Sequence, residues 1–110
     1  MTDLHHHLPA SVTQEQLAAI IDGLAADTTV SGILLQLPLP RHLEPGPLIG
    51  RIPPGKDVDG LTGSNAGLLA QGQPGVLPCT PSGVMRLLDE YDVRLAGADA
   101  VVVGLSLIHI

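Results

Sequence analysis

Three short stretches carry side chains whose type and setting could do chemistry. The first is Gly32 to Pro40, GILLQLPLP. Ile33-Leu34-Leu35 is an apolar run bounded by Gly and Pro, the pattern of a buried parallel strand. Pro38 and Pro40 cannot donate to a ladder, so the strand should end near Leu37. That leaves the Gln36 amide at the carboxyl end of a buried strand, where open α/β sheets bind ligands. A buried amide costs about 1–3 kcal/mol unless it finds partners. The plain alternative is therefore a core strand whose Gln36 bonds neighbouring backbone. The second stretch is Lys56 to Gly60, KDVDG. A carboxylate there has two acceptor oxygens for a ligand with paired donors. It equally suits a D-x-x-G turn in which the acid bonds local backbone. The third is Pro78 to Pro81, PCTP. Cys79 is a small core hydrophobe in most such settings. As a nucleophile it needs a nearby His or a lowered pKa, and no partner is evident. Thr80 at a helix start could meet a phosphate.

These stretches need elements to hold them. Thr13 and Gln16 form a T-x-x-Q capping box that starts a helix. Leu17, Ile20, Ile21, Leu24 and Ala25 recur at helical spacing and give it one apolar face. Gly23 weakens it by up to about 1 kcal/mol relative to Ala, and Asp27-Thr28-Thr29 turns the chain into the first strand. Helix then apolar strand is half of a βαβ unit, with no strand visible before the helix. Between Arg41 and Gly60 the chain is rich in Pro and Gly. A short helix fits from Pro45, using Leu48, Ile49 and Ile52, and Pro53-Pro54-Gly55 ends it. Ser64 to Gln71 fits another short helix with Leu68 and Leu69 inward. Thr80 is expected to cap the next helix, with Pro81 at its first position and Val84, Leu87, Leu88 and Tyr91 on its apolar face. Ala100 to Val103 reads as a second buried strand ending in Gly104. A strand followed by Gly is a minimal form of the opening of a dinucleotide-binding unit.

Composition narrows the function classes. A chain of 110 residues is enough for one small domain, and 45% hydrophobic residues support a core. With no Trp or Phe and a single Tyr, that core must be Leu, Ile, Val and Ala. The formal net charge of −6 argues against a nucleic-acid partner. One cysteine excludes an internal disulfide framework and suits a reducing cytoplasm. No signal peptide is seen, and no apolar run approaches the ~20 residues of a membrane span. His5-His6-His7 is short for a purification tag and has no Cys or carboxylate cluster nearby for a metal site, so no metal is expected.

Taken together in order, QLPLP, PGKDVDG, PCTPSGV and VVVG resemble the bifunctional methylenetetrahydrofolate dehydrogenase/methenyltetrahydrofolate cyclohydrolase family, from about His6 to Gly104. The resemblance implies an α/β fold: a partial three-layer catalytic domain with parallel strands at 1–96, and the first strand of a Rossmann NAD(P)-binding domain at 97–104. It implies oxidation of 5,10-methylenetetrahydrofolate with NADP, NAD being the alternative, and hydrolysis of the methenyl product to 10-formyltetrahydrofolate. In the family, a Tyr-x-x-x-Lys on an early helix supplies the catalytic lysine and the Gln of QLP tunes it. The resemblance therefore assigns a catalytic role to Gln36, and substrate contacts to Leu35, Gln36, Leu37, Pro38 and Asp59. A pterin presents an amino group and a ring N–H side by side, which a carboxylate such as Asp59 can accept in bidentate fashion. Asp57 is left to the local turn. Gly104 and Ser106 match cofactor-phosphate positions. PCTP lies along the family's interdomain cleft, making Thr80 a secondary cofactor candidate and Cys79 a secondary site candidate. The parent is expected to be a cytoplasmic homodimer.

Two departures accompany the resemblance. Lys56 is the only lysine and Tyr91 the only tyrosine, in the wrong order for Tyr-x-x-x-Lys. The expectation is an internal fragment, inactive alone, with Met1 an internal or spurious start. The other departure is LSLIHI at 105–110, which reads as translated sequencing adapter rather than native sequence. Two rivals stand beside the enzyme reading: a stand-alone α/β ligand-binding module without chemistry, and a misannotated frame never made as protein.

Overall fold

Thr13 opens the first helix as the motif demands. Its Oγ1 accepts from the Gln16 N–H at 3.2 Å, and the Gln16 side chain accepts from the Thr13 N–H at 2.9 Å. In this computed structural model, which describes residues 3–103, helix α1 runs Gln14–Ala26. Leu17 and Ile21 are buried on its inner face. The turn that follows is closed by Asp27, whose Oδ1 accepts from both the N–H and the hydroxyl of Thr29. Helix α2, Pro45–Ile49, begins on Pro45 and buries Leu48 and Ile49. The two are laced together at their starts. Gln14 Nε2 donates to the Glu44 carbonyl at 3.1 Å, and Glu44 N–H donates to Gln14 Oε1 at 2.9 Å. His42 Nε2 lies 2.9 Å from the Val12 carbonyl. The Arg51–Asp22 ion pair at 3.4 Å is exposed and contributes little.

Val12, Leu17, Ile21, Ile33, Leu43, Leu48 and Ile52 form one aliphatic cluster. A single turn of 3₁₀ helix, Pro54–Lys56, then leads into the KDVDG loop. Helix α3, Gly63–Ala70, is capped by Thr62, whose side chain accepts from the Asn65 N–H. Helix α4 spans Cys79–Glu90. Beyond Asn65 none of the described residues is buried, so the packed part of the molecule ends there.

Several expectations need correction. The parallel sheet is reduced, among the described residues, to one parallel bridge between Ile33 and Asp57, with Ile33 N–H donating to the Lys56 carbonyl at 2.7 Å. A parallel strand buries both faces only between neighbours. Here Leu34 is 59% exposed, and Ala100–Val103 forms no strand and lies open to solvent. The Rossmann strand is therefore not seen among the described residues. Thr80 does not cap α4. Pro78 does, because helical bonding starts at its carbonyl, which accepts from the Ser82 N–H, so Pro81 falls at the third position. A first-turn residue has no intrahelical acceptor for its N–H, so Pro is tolerated there as well. Leu68 and Leu69 are exposed rather than inward, as are Val84, Leu87 and Tyr91 on α4. Their helical spacing is right, but nothing among the described residues buries them. Gly104, Ser106 and the 105–110 tail lie outside the described residues.

Candidate functional site

The three chemistry-bearing stretches converge on the KDVDG loop. The Ile33–Asp57 bridge lays the QLP stretch parallel to it. Gln36 and Asp59 thus stand three and two residues beyond that bridge, both on its carboxyl-terminal side. Close packing enforces the alignment, since a side chain at Gly32 would run into Val58. From the other side, Cys79 Sγ donates to the Val58 carbonyl at 3.5 Å. The chain leading into α4 lies directly on Gly60, where an added Cβ would stand 2.6 Å from the Val76 carbonyl oxygen. Gly60 also has φ +67°, a left-handed conformation that favours glycine.

Asp57 holds this loop together. It is only 3% exposed. Its Oδ1 accepts from the Asp59 N–H at 3.3 Å and the Leu61 N–H at 3.2 Å. Its Oδ2 accepts from the Thr62 N–H at 2.8 Å and from Asn65 Nδ2 at 2.9 Å. Burial pushes the carboxyl up, but the hydrogen bonds from Asn65, Thr62 and Leu61 outweigh it and hold it down at about 2. Asp57 is thus an ionised structural acid with its acceptors spent on the loop, as the local-turn reading anticipated.

Asp59 has the complementary character. It is half-buried, and among the described residues no hydrogen bond engages its carboxylate. Its backbone is fixed by Asp57 while its two oxygens stay available. Gln36 is exposed instead of buried, with Nε2 donating to the Leu37 carbonyl at 2.8 Å. The amide therefore bonds adjacent backbone while standing in solvent, because the strand that carries it has only one bridge. Leu35 and Leu37 are half-buried and Pro38 is exposed beside it. Cys79 and Thr80 are exposed at the start of α4.

Lys56 is not a lysine for Gln36 to tune. Its Nζ donates to the carbonyls of Leu24, Ala25 and Asp27 at 3.2, 2.8 and 2.7 Å, closing the carboxyl end of α1. All three of its donors are committed.

Thr62 and Asn65 were not legible as site residues. The only sequence signal was the T-x-x-N spacing at the start of α3, which marks a cap but not a partner for a carboxylate eight residues earlier.

Known proteins resemble this chain in sequence and in fold. The family model for the catalytic domain of tetrahydrofolate dehydrogenase/cyclohydrolase matches residues 1–59. The bifunctional protein FolD 2 of Frankia casuarinae is 64% identical over 106 residues, covering 96% of this chain and 37% of that protein. The bifunctional protein FolD of Methylorubrum extorquens is 52% identical over 103 residues, 94% of this chain and 34% of its own. Among solved structures, the methylenetetrahydrofolate dehydrogenase/cyclohydrolase of Campylobacter jejuni superposes with a TM-score of 0.83 at 47% identity, over 94% of this chain and 37% of that one. The Trypanosoma brucei enzyme, solved with NADP cofactor and inhibitor, gives 0.74 at 38% identity, over 82% and 31%. The chain thus spans little more than a third of the length of the curated relatives it matches. The match of that family model to residues 1–59, more than half of the chain, makes it a member of the tetrahydrofolate dehydrogenase/cyclohydrolase family.

Proposed function

We propose that this chain is the folate-facing part of an enzyme that oxidises 5,10-methylenetetrahydrofolate to the methenyl form with NADP and hydrolyses that product to 10-formyltetrahydrofolate. The observation that carries the reading is the division of labour between two acids two residues apart. Asp57 is buried and fully bonded, while Asp59 is presented half-buried with its oxygens unengaged. A pterin's adjacent amino and ring N–H donors match such a carboxylate in bidentate fashion. Gln36, with Leu35, Leu37 and Pro38, forms the facing wall. Its amide orients the proton-transfer lysine without imposing a full opposing charge.

That lysine is not Lys56, whose donors are spent on α1. In this reading it belongs to a part of the whole protein beyond these 110 residues, as do the partner subunit and most of the NADP site. Thr80 and Gly104 are this chain's share of the cofactor cleft, and the whole protein is a cytoplasmic dimer. NADP supplies the hydride acceptor when bound; these residues bind and orient.

The reading is tested by transplantation. This chain's residues replace the matched segment of the Frankia casuarinae relative, and NADP-dependent oxidation of 5,10-methylenetetrahydrofolate is followed. The chimera is expected to turn over within about tenfold of the unaltered relative, while purified 1–110 alone shows none. A folded chimera without activity, or an active 1–110, overturns the reading.

A further inference from the structure

We propose that Asn65 is a positioning residue for the folate, a role that rests on the reading of Asp59 given above. Asn65 is buried at the start of α3 and uses both amide hydrogens. Nδ2 donates to Asp57 Oδ2 at 2.9 Å and to the Pro54 carbonyl at 3.1 Å. It therefore ties the entry of the KDVDG loop to its central carboxylate. The opposite oxygen of that carboxylate holds the Asp59 N–H. The chain of contacts runs from Asn65 to Asp57 to the Asp59 backbone, and the direction of the Asp59 carboxylate is its output.

The surroundings leave this device little freedom. Thr62 Oγ1 accepts from the Asn65 N–H, fixing the backbone that carries the amide. An added Cβ at Gly75 would meet Leu68 at 3.2 Å and stand 3.8 Å from Asn65 Oδ1, so the returning chain packs against α3 at this point. That same chain then crosses Gly60 on its way to Cys79. Among the described residues every buried side-chain polar atom is partnered. Loss of the Asn65 amide leaves Asp57 Oδ2 with the Thr62 N–H alone, and the carboxylate is held less firmly about χ2. The Asp59 N–H, held at 3.3 Å, is the longest of its bonds and the first to be lost.

A merely structural Asn65 and a positioning one differ in what they move. The test uses the chimera described above, with steady-state kinetics at varied folate and varied NADP. Asn65→Ala is expected to raise the KM for 5,10-methylenetetrahydrofolate about tenfold, the scale of one charge-assisted hydrogen bond. The KM for NADP and kcat stay within about twofold. In an Asp59→Asn background the same substitution adds less than about twofold to the folate KM, because its route to the ligand is already cut. If Asn65→Ala does not fold, the near-isosteric Asn65→Leu, which has no donor, carries the same ratios. Equal changes in both KM values, or effects of Asn65 and Asp59 that multiply, overturn the proposal. An Asp59→Asn variant with unchanged folate KM overturns the Asp59 reading, and this one with it. An effective Asp59→Asn beside a silent Asn65→Ala overturns this one alone.

Discussion

The Lys56 ammonium lies 2.8 Å from the Ala25 carbonyl oxygen and 2.7 Å from that of Asp27. The chain's only lysine is thus a helix-end cation, bound to carbonyls that have no intrahelical donor. Its substitution should cost stability rather than chemistry. Lys56→Met in the chimera is expected to lower stability by about 1–2 kcal/mol in urea unfolding and to leave kcat within about twofold. A large fall in kcat with unchanged stability would mean that Lys56 takes part in proton transfer.

Asp57 makes stability depend on acid. Its folded-state pKa is about 2, against an ordinary 3.8. A depressed carboxyl pKa contributes stability that is fully present above about 3.8 and is lost as pH falls through about 2. The contribution is roughly 2 kcal/mol at 1.36 kcal/mol per unit. Urea midpoints of the chimera measured from neutral pH downward should fall in that window. Asp57→Asn should be less stable at neutral pH and should lose this part of the slope. A variant with the same acid slope as the parent would remove Asp57 from the explanation.

Gly60 combines φ +67° with a neighbouring carbonyl oxygen 2.6 Å from where a Cβ would stand. Strain and collision act together, and the colliding atom is backbone. Gly60→Ala is expected to destabilise by about 1–3 kcal/mol, whereas Gly55→Ala, with open space around its Cβ, should stay within about 1 kcal/mol of the parent. Equal effects at the two sites would contradict the close approach of the 76–78 segment.

The apolar side of α4 has no cover among the described residues. Leu87 is 60% and Tyr91 77% exposed, with Val84 one turn earlier at 50%. Patches of this kind associate. The isolated chain should self-associate with rising concentration in light scattering and give broad amide NMR signals. Leu87→Glu should shift it toward monomer. A dispersed spectrum from a stable monomer would refute this.

Local rules carried the sequence reading well where neighbours in the chain decide the outcome. The Thr13–Gln16 box, the Asp27 turn and the Pro45 start all depend on residues within one turn of each other. The reading failed where partners are remote. Ile33-Leu34-Leu35 and Ala100–Val103 have strand composition, but a strand is a relationship between segments, and only the Ile33–Asp57 contact is made. Gln36 followed its strand into solvent for the same reason. The helical period of Val84, Leu87 and Tyr91 marks a face without saying what covers it. At the candidate site, Asp59 was singled out through a family pattern. Asn65 was missed because its partner is a carboxylate eight positions away, across a loop whose shape no local rule specifies.

The most direct test of the central claim is the folate KM of the chimera with and without Asp59→Asn. Loss of one acceptor oxygen removes half of a bidentate pair. The expected result is a rise of at least about tenfold for 5,10-methylenetetrahydrofolate with the NADP KM unchanged. An unchanged folate KM in a folded, active variant would show that Asp59 does not hold the pterin.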